Sequence, residues 1–216
     1  MKSGLKQRLV GAAAIAVILA SCTWIYFTQI KTARHNVGLH QKVGEVLAEQ
    51  AAQLVGKKGH VVTIAISTKE WPELKTQIDA FKAKLKQLGD YELREYELDT
   101  KDQPKYGVGS GLSGRRYVRT VKKNLNADLF VSFVGAPKLT SDEAAELVKK
   151  PRLIAESRSG DNLPGLFERK LIDVAVVSRF EFPAPGPEKP TTPAQWFTKR
   201  YQVLTASPGG SLSKAE

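Results

Sequence analysis

Cysteine is almost absent from the 216-residue chain, Cys22 being the only one. That excludes an intrachain disulfide framework and any multi-cysteine zinc or iron–sulfur site. Histidine is nearly as scarce, with only His35, His40 and His60. Acidic side chains are missing from the start of the chain, where the first is Glu45. What remains is ordinary for one folded domain: 42% hydrophobic and 25% charged residues. Wholesale disorder and a multi-span membrane protein are both excluded by that balance. The formal net charge of +11 points to anionic surroundings without naming a partner.

The N-terminal region sets the expected location. Residues 9–27 carry no charge, Lys2, Lys6 and Arg8 precede them, and Lys31 and Arg34 follow. A helix needs about 20 apolar residues to cross a bilayer, and the slight basic excess favours a cytoplasmic N-terminus. A single-pass anchor is one reading, with Trp24 and Tyr26 suited to the membrane interface. Leu19-Ala20-Ser21-Cys22 supports another. It resembles a bacterial lipobox, which implies cleavage before Cys22 and lipid on that thiol. Both readings place the remaining chain on the extracytoplasmic, periplasmic side of a membrane. The expected division is an anchor or lipoprotein signal over 1–30 and an α/β domain over 31–182. A proline-rich connector with a possible edge strand follows over 183–206, then a disordered tail over 207–216.

Beyond the anchor, strand and helix patterns alternate. Val43, Leu47, Ala51 and Leu54 repeat at helical spacing, and Gly56 ends that run. His60–Ile66 is a continuous apolar stretch, as in a strand buried on both faces. Ser67 and Glu70 have capping-box spacing. Leu74, Ile78, Phe81, Leu85 and Leu88 mark a helix ending at Gly89. Further strands are expected at 91–98, 128–134, 152–155 and 173–178, with an edge strand over 201–205. Helices are expected around Leu112–Leu125, after Thr140, and from Asp161 or Asn162 to Leu171. Such alternation predicts a three-layer α/β/α sandwich. Its sheet should be mainly parallel, with five or six strands in the flavodoxin-like order 2-1-3-4-5.

Two stretches carry a resemblance. Gly44-Glu45-Val46-Leu47-Ala48-Glu49-Gln50-Ala51-Ala52-Gln53-Leu54-Val55-Gly56-Lys57-Lys58-Gly59-His60-Val61-Val62 runs helix, Gly-Lys-x-Gly turn, buried strand. Asn126-Ala127-Asp128-Leu129-Phe130-Val131-Ser132 forms a later strand. Together they resemble one lobe of periplasmic sugar-binding proteins of the LacI-like type, over about residues 37–180. The resemblance implies that fold and, by analogy, a binding function. Those receptors close two lobes on a solute, whereas one lobe is visible here, so no ligand-contacting residue carries over.

Candidate chemistry gathers in two places. In an open parallel sheet, ligands favour the crevice at the carboxyl ends of the strands. That edge should hold Ser67, Thr68, Trp71, Gly135, Glu156, Arg158, Asp161 and Arg179. Trp71 could stack on a ring, and the charged residues could hydrogen-bond polar groups; a packing Trp71 and solvated charges are the bland counterpart. The second place is Gly109-Ser110-Gly111-Leu112-Ser113-Gly114-Arg115-Arg116, which has G-x-G-x-x-G spacing. Backbone N–H groups of Gly109, Gly111 and Gly114 at a helix start, with Arg115 and Arg116, could hold an anion. The loop lies too far from a strand for a dinucleotide fold, and the Walker pattern fails. No histidine reaches the carboxyl edge, so Ser–His and Cys–His nucleophile arrangements are unexpected. The basic pairs are dispersed among acids, without a nucleic-acid motif.

The composite expectation is a non-enzymatic envelope component without cofactor or metal. It would bind the membrane through its N-terminus and another envelope protein or assembly through its domain, with no nucleic acid. The alternative is a tethered protein for a small molecule, a sugar or an anion.

Overall fold

The computed structural model describes residues 2–26, 36–98, 111–147, 150–158, 162–179, 190–206 and 212–214. The chain divides into two compact units, Met1–Asn36 and Val37–Glu216. The first holds helix α1 (Lys2–Ile25). Ile15, Val17, Ile18 and Leu19 are each at least 60% exposed, on several sides of that helix. Among the described residues no helix is long and apolar enough to cross a membrane.

The second unit opens with α2 (Val37–Val55), then β1 (Lys58–Ala65), a 3-10 turn (Thr68–Glu70), α3 (Pro72–Leu88) and β2 (Asp90–Glu97). After an interval come β3 (Leu112–Ser113), α4 (Gly114–Lys122), β4 (Leu129–Ser132), β5 (Pro137–Lys138) and α5 (Ser141–Ala145). The chain continues through β6 (Arg152–Ser157), α6 (Leu163–Glu168), β7 (Val174–Ser178), α7 (Pro193–Arg200), β8 (Tyr201–Ala206) and β9 (Leu212–Lys214).

One seven-stranded sheet runs β2-β1-β4-β6-β7-β8-β9. Its first five strands are parallel and follow the expected 2-1-3-4-5 order, and β8 and β9 are antiparallel additions. The short β4 is buried at every residue, and β6 at every residue but the first, as strands covered on both faces require. The end strand β2 instead exposes Asp90, Glu92, Arg94, Glu95 and Glu97.

Side-chain alternation assigns the layers. Phe133 meets Phe81 of α3 edge-on at 5.6 Å, and Phe130, on the opposite face, meets Tyr117 of α4 at 6.1 Å. Helix α2 packs on α3 and α7, so these three share one side, while α4 packs with α5 on the other. The α2–α3 approach is close. A Cβ on Gly44 would stand 2.1 Å from the Gln77 carbonyl oxygen and 2.9 Å from the Phe81 amide nitrogen. Only glycine fits there, and Ala48 and Ala51, both fully buried, continue the small-residue side of the same helix.

Several expectations are corrected. Among the described residues Leu212–Lys214, expected in a disordered tail, pairs with β8 and brings the mainly parallel sheet to seven strands. Pro193–Arg200, assigned to the connector region, is a helix. Pro193 stands at its first turn, and Thr192 and Gln195 form a complete capping box. Residues 183–189 of the connector lie outside the described residues. Ser67 makes no side-chain cap bond, and α3 starts beyond it at Pro72. Leu112 is in β3 rather than in a helix, and Leu125, beyond the end of α4, is 67% exposed.

Candidate functional site

The sheet reverses its winding between β1 and β4, since β2 lies to one side of β1 and all later strands lie to the other. A crevice opens at the carboxyl end of such a point. Ser67 and Thr68, half-buried, follow β1 at this edge. Gly135 follows β4 with φ 106°, a left-handed conformation suited to glycine. Its carbonyl accepts the Ser132 hydroxyl at 2.7 Å, which closes the turn. Trp71 is partly buried against the core, and its carbonyl accepts the Lys75 amide at 3.0 Å in the first turn of α3. Its ring is thus a packing group before it is a stacking platform. Asp161 lies outside the described residues. Beside β1, a cleft of about 450 Å³ runs under α3, with Thr63, Thr68, Lys75, Asp79, Lys82 and Glu95 in its lining. Of the candidate residues, only Thr68 lines it.

Glu156, Arg158 and Arg179 lie further along the same edge, and register explains their settings. Ile154 pairs with Val131 and Glu156 with Val176, so Glu156 is on the α2 face of the sheet. Val176 pairs with Val203 of β8, and Tyr201 lies two residues from Val203 on that face. Glu156 is only 3% exposed, and burial pushes its carboxyl up to about 7 against the opposing pull of Arg158. Tyr201 is 9% exposed and stacks on Phe197 at 5.6 Å. Its phenol is pushed up by burial and by the nearby Glu156, and Arg158 and Arg200 oppose that shift. Arg179 donates its backbone N–H to the Arg200 carbonyl at 2.7 Å, while its buried Nε has no hydrogen-bond partner.

Arg200 and Tyr201 were not among the residues expected at this edge. Their place follows from the antiparallel direction of β8, which begins where the parallel strands finish. The Thr192-Pro193-Ala194-Gln195 cap was the available signal, because a short helix there returns the chain to the sheet in reverse.

The glycine-rich segment is arranged differently. Gly109 lies outside the described residues. Gly111 has φ 105° and donates its N–H to the Val134 carbonyl at 3.0 Å. Gly114 opens α4, and a Cβ there would stand 2.1 Å from Glu143 Oε2. The chain's own carboxylate, fixed by its capping box with Thr140, thus sits where an anion beside Gly114 would lie. Arg115 is exposed, in a shallow groove of about 300 Å³ with Arg119, Lys122 and Lys123. The Arg116 carbonyl accepts the Thr120 hydroxyl. Among the histidines, His60 stands at the opposite, amino end of the sheet, 2.9 Å from Glu92.

No protein-family model matches the chain. No curated protein matches it either. Solved structures do. A solute-binding protein of an ABC transporter from Burkholderia graminis, in complex with D-arabinose, is 19% identical with a TM-score of 0.49, over 64% of this chain and 47% of that one. A solute-binding protein from Agrobacterium vitis with bound D-fucose is 14% identical with a TM-score of 0.48, over 64% and 46%. GanP, a glucose-galactose binding protein from Geobacillus stearothermophilus, is 15% identical with a TM-score of 0.45, over 64% and 47%. The chain spans about half the length of the structures it matches. The expected likeness to one lobe of sugar-binding proteins is therefore found, and it concerns the fold alone.

Proposed function

We propose that Val37–Glu216 is a non-enzymatic binding domain whose ligand is a small polar molecule held at the carboxyl edge of the sheet. The observation that carries this reading is the gathering of Ser67, Thr68, Gly135, Glu156, Arg158 and Arg179 along one edge, beside the point where the winding reverses. Of the two expected functions, the small-molecule one draws this support. The matched proteins' sugars are the first class to try. Calorimetric titration of the full chain in mild detergent with a panel of sugars, sugar acids and sugar phosphates tests the reading. Saturable binding weakened by Arg158→Gln supports it, and silence across the panel overturns it.

We further propose that the N-terminal segment carries the domain to the extracytoplasmic face of a membrane. Support comes from the uncharged run 9–27 and from the apolar side chains exposed on several sides of α1. Intact-mass measurement of protein from native membranes separates the two forms of that reading. A lipid-modified chain beginning at Cys22 is the lipoprotein, and a chain retaining residues 1–21 is the uncleaved anchor. A chain shortened at another position and without lipid counts against both.

A further inference from the structure

We infer that the ligand of this edge carries an anionic oxygen group, a carboxylate or a phosphate, held by Arg158, Arg179 and Arg200. The inference rests on the binding reading above and narrows its ligand class. These residues stand at one end of three adjacent strands. Ser157 pairs with Val177 and Ser178 with Tyr201, so Arg158, Arg179 and Arg200 each adjoin the last paired register of β6, β7 and β8. Neighbouring strands are about 4.8 Å apart, and Arg158 and Arg200 both act on the Tyr201 phenol, which puts these two guanidinium groups near one point of the edge, with Arg179 at the end of the strand between them.

Arg158 and Arg200 are exposed and Arg179 is half-buried. Among the described residues none of the three guanidinium groups is in an ion pair. Elsewhere on the domain cations are matched: Lys75 with Asp79, Lys82 with Glu95, and Lys122 with Glu146. Unpaired like charges repel, and a buried N–H without an acceptor is destabilising. The Arg179 Nε is in that condition. The described acid nearby is Glu156, which sits beneath the edge. Burial raises its carboxyl to about 7, so near neutral pH it is only partly ionised and offsets at most one of the three positive charges. A planar, bidentate donor such as arginine suits carboxylate and phosphate oxygens.

Two sources of that chemistry are separable. The full chain, in mild detergent at about physiological ionic strength, is titrated with D-glucose, D-glucuronate, D-glucose 6-phosphate and inorganic phosphate. Arg158→Gln and Arg200→Gln alter exposed side chains, so they should leave the fold intact, and Arg119→Gln on α4 is the control. At least one anionic probe should bind tenfold or more tightly than glucose. Either edge variant should weaken that binding about tenfold, and the control should not. Preference for glucuronate identifies a carboxylate ligand, and preference for glucose 6-phosphate or phosphate identifies a phosphate. Glucose binding as tightly as the anions overturns this inference and leaves the binding reading standing. Anion binding lost in the α4 control but kept in the edge variants overturns it too, moving the site to the basic groove. No binding by any probe overturns both.

Discussion

Replacing Glu156 with glutamine should change how stability depends on pH. In the folded chain burial lifts this carboxyl from 4.5 to about 7. Below about pH 4.5 both folded and unfolded chains hold the proton, and the group is neutral to stability. Between those values the unfolded chain releases a proton that the folded chain retains, so rising pH favours unfolding. Above about 7 the whole penalty applies. At about 1.4 kcal/mol for each pH unit it comes to a little over 3 kcal/mol. Glu156→Gln keeps the shape without the charge. Its stabilisation relative to the parent should be near zero at pH 4.5 and grow toward 3 kcal/mol at pH 8. At about 2–4 °C per kcal/mol for a domain of this size, that is a gap of roughly 6–12 °C in Tm. Asp173, also raised by burial, contributes the same slope to both proteins, so the difference isolates Glu156. Thermal melts across pH 4.5–8 decide the matter. Parallel Tm curves for parent and variant would refute the account of a charge kept out of water.

Three other substitutions test packing. Gly44→Ala should force α2 away from the Gln77 carbonyl and cost about 1–3 kcal/mol, read as a lower denaturation midpoint with an unchanged slope. Gly114→Ala should cost a similar amount by displacing the Glu143 carboxylate; Gly114→Ala with Glu143→Ala should recover part of that loss in a double-mutant cycle. Phe81→Ala, at a fully buried ring that meets Phe133 edge-on, should cost about 3–5 kcal/mol in the same assay.

Much of this fold is written in local patterns. The apolar positions of α3 recur every three or four residues, and Gly89 follows them, so its end was legible. The unbroken run from Val61 to Ile66 announced a strand covered on both sides, and alternation with helices gave the parallel order. Legibility failed where a residue's role depended on its partners. The stretch from Arg152 to Arg158 reads as a strand ending at Ala155, yet pairing with β7 carries the extended chain to Ser157. Alternation then turns Glu156 toward α2 and out of water, which no local pattern announces. The prolines preceding α7 masked its start, although proline at the first helical turn is favourable. Without α7 the direction of β8 is undetermined, and nothing local sets Arg200 and Tyr201 beside Arg158 and Arg179.

The end strands of the sheet bear on how the molecule behaves at high concentration. Among the described residues no strand pairs with the outer edge of eight-residue β2, the kind of surface on which another chain can template an added strand. It carries five exposed charges, four of them acidic. A second copy laid along that edge would bring like charges together and would have to strip water from them. The opposite end is β9, only three residues long and too short to seed an extended ladder. Charge at one margin and brevity at the other thus discourage strand-by-strand self-association, so the parallel core is shielded from growing into an intermolecular sheet.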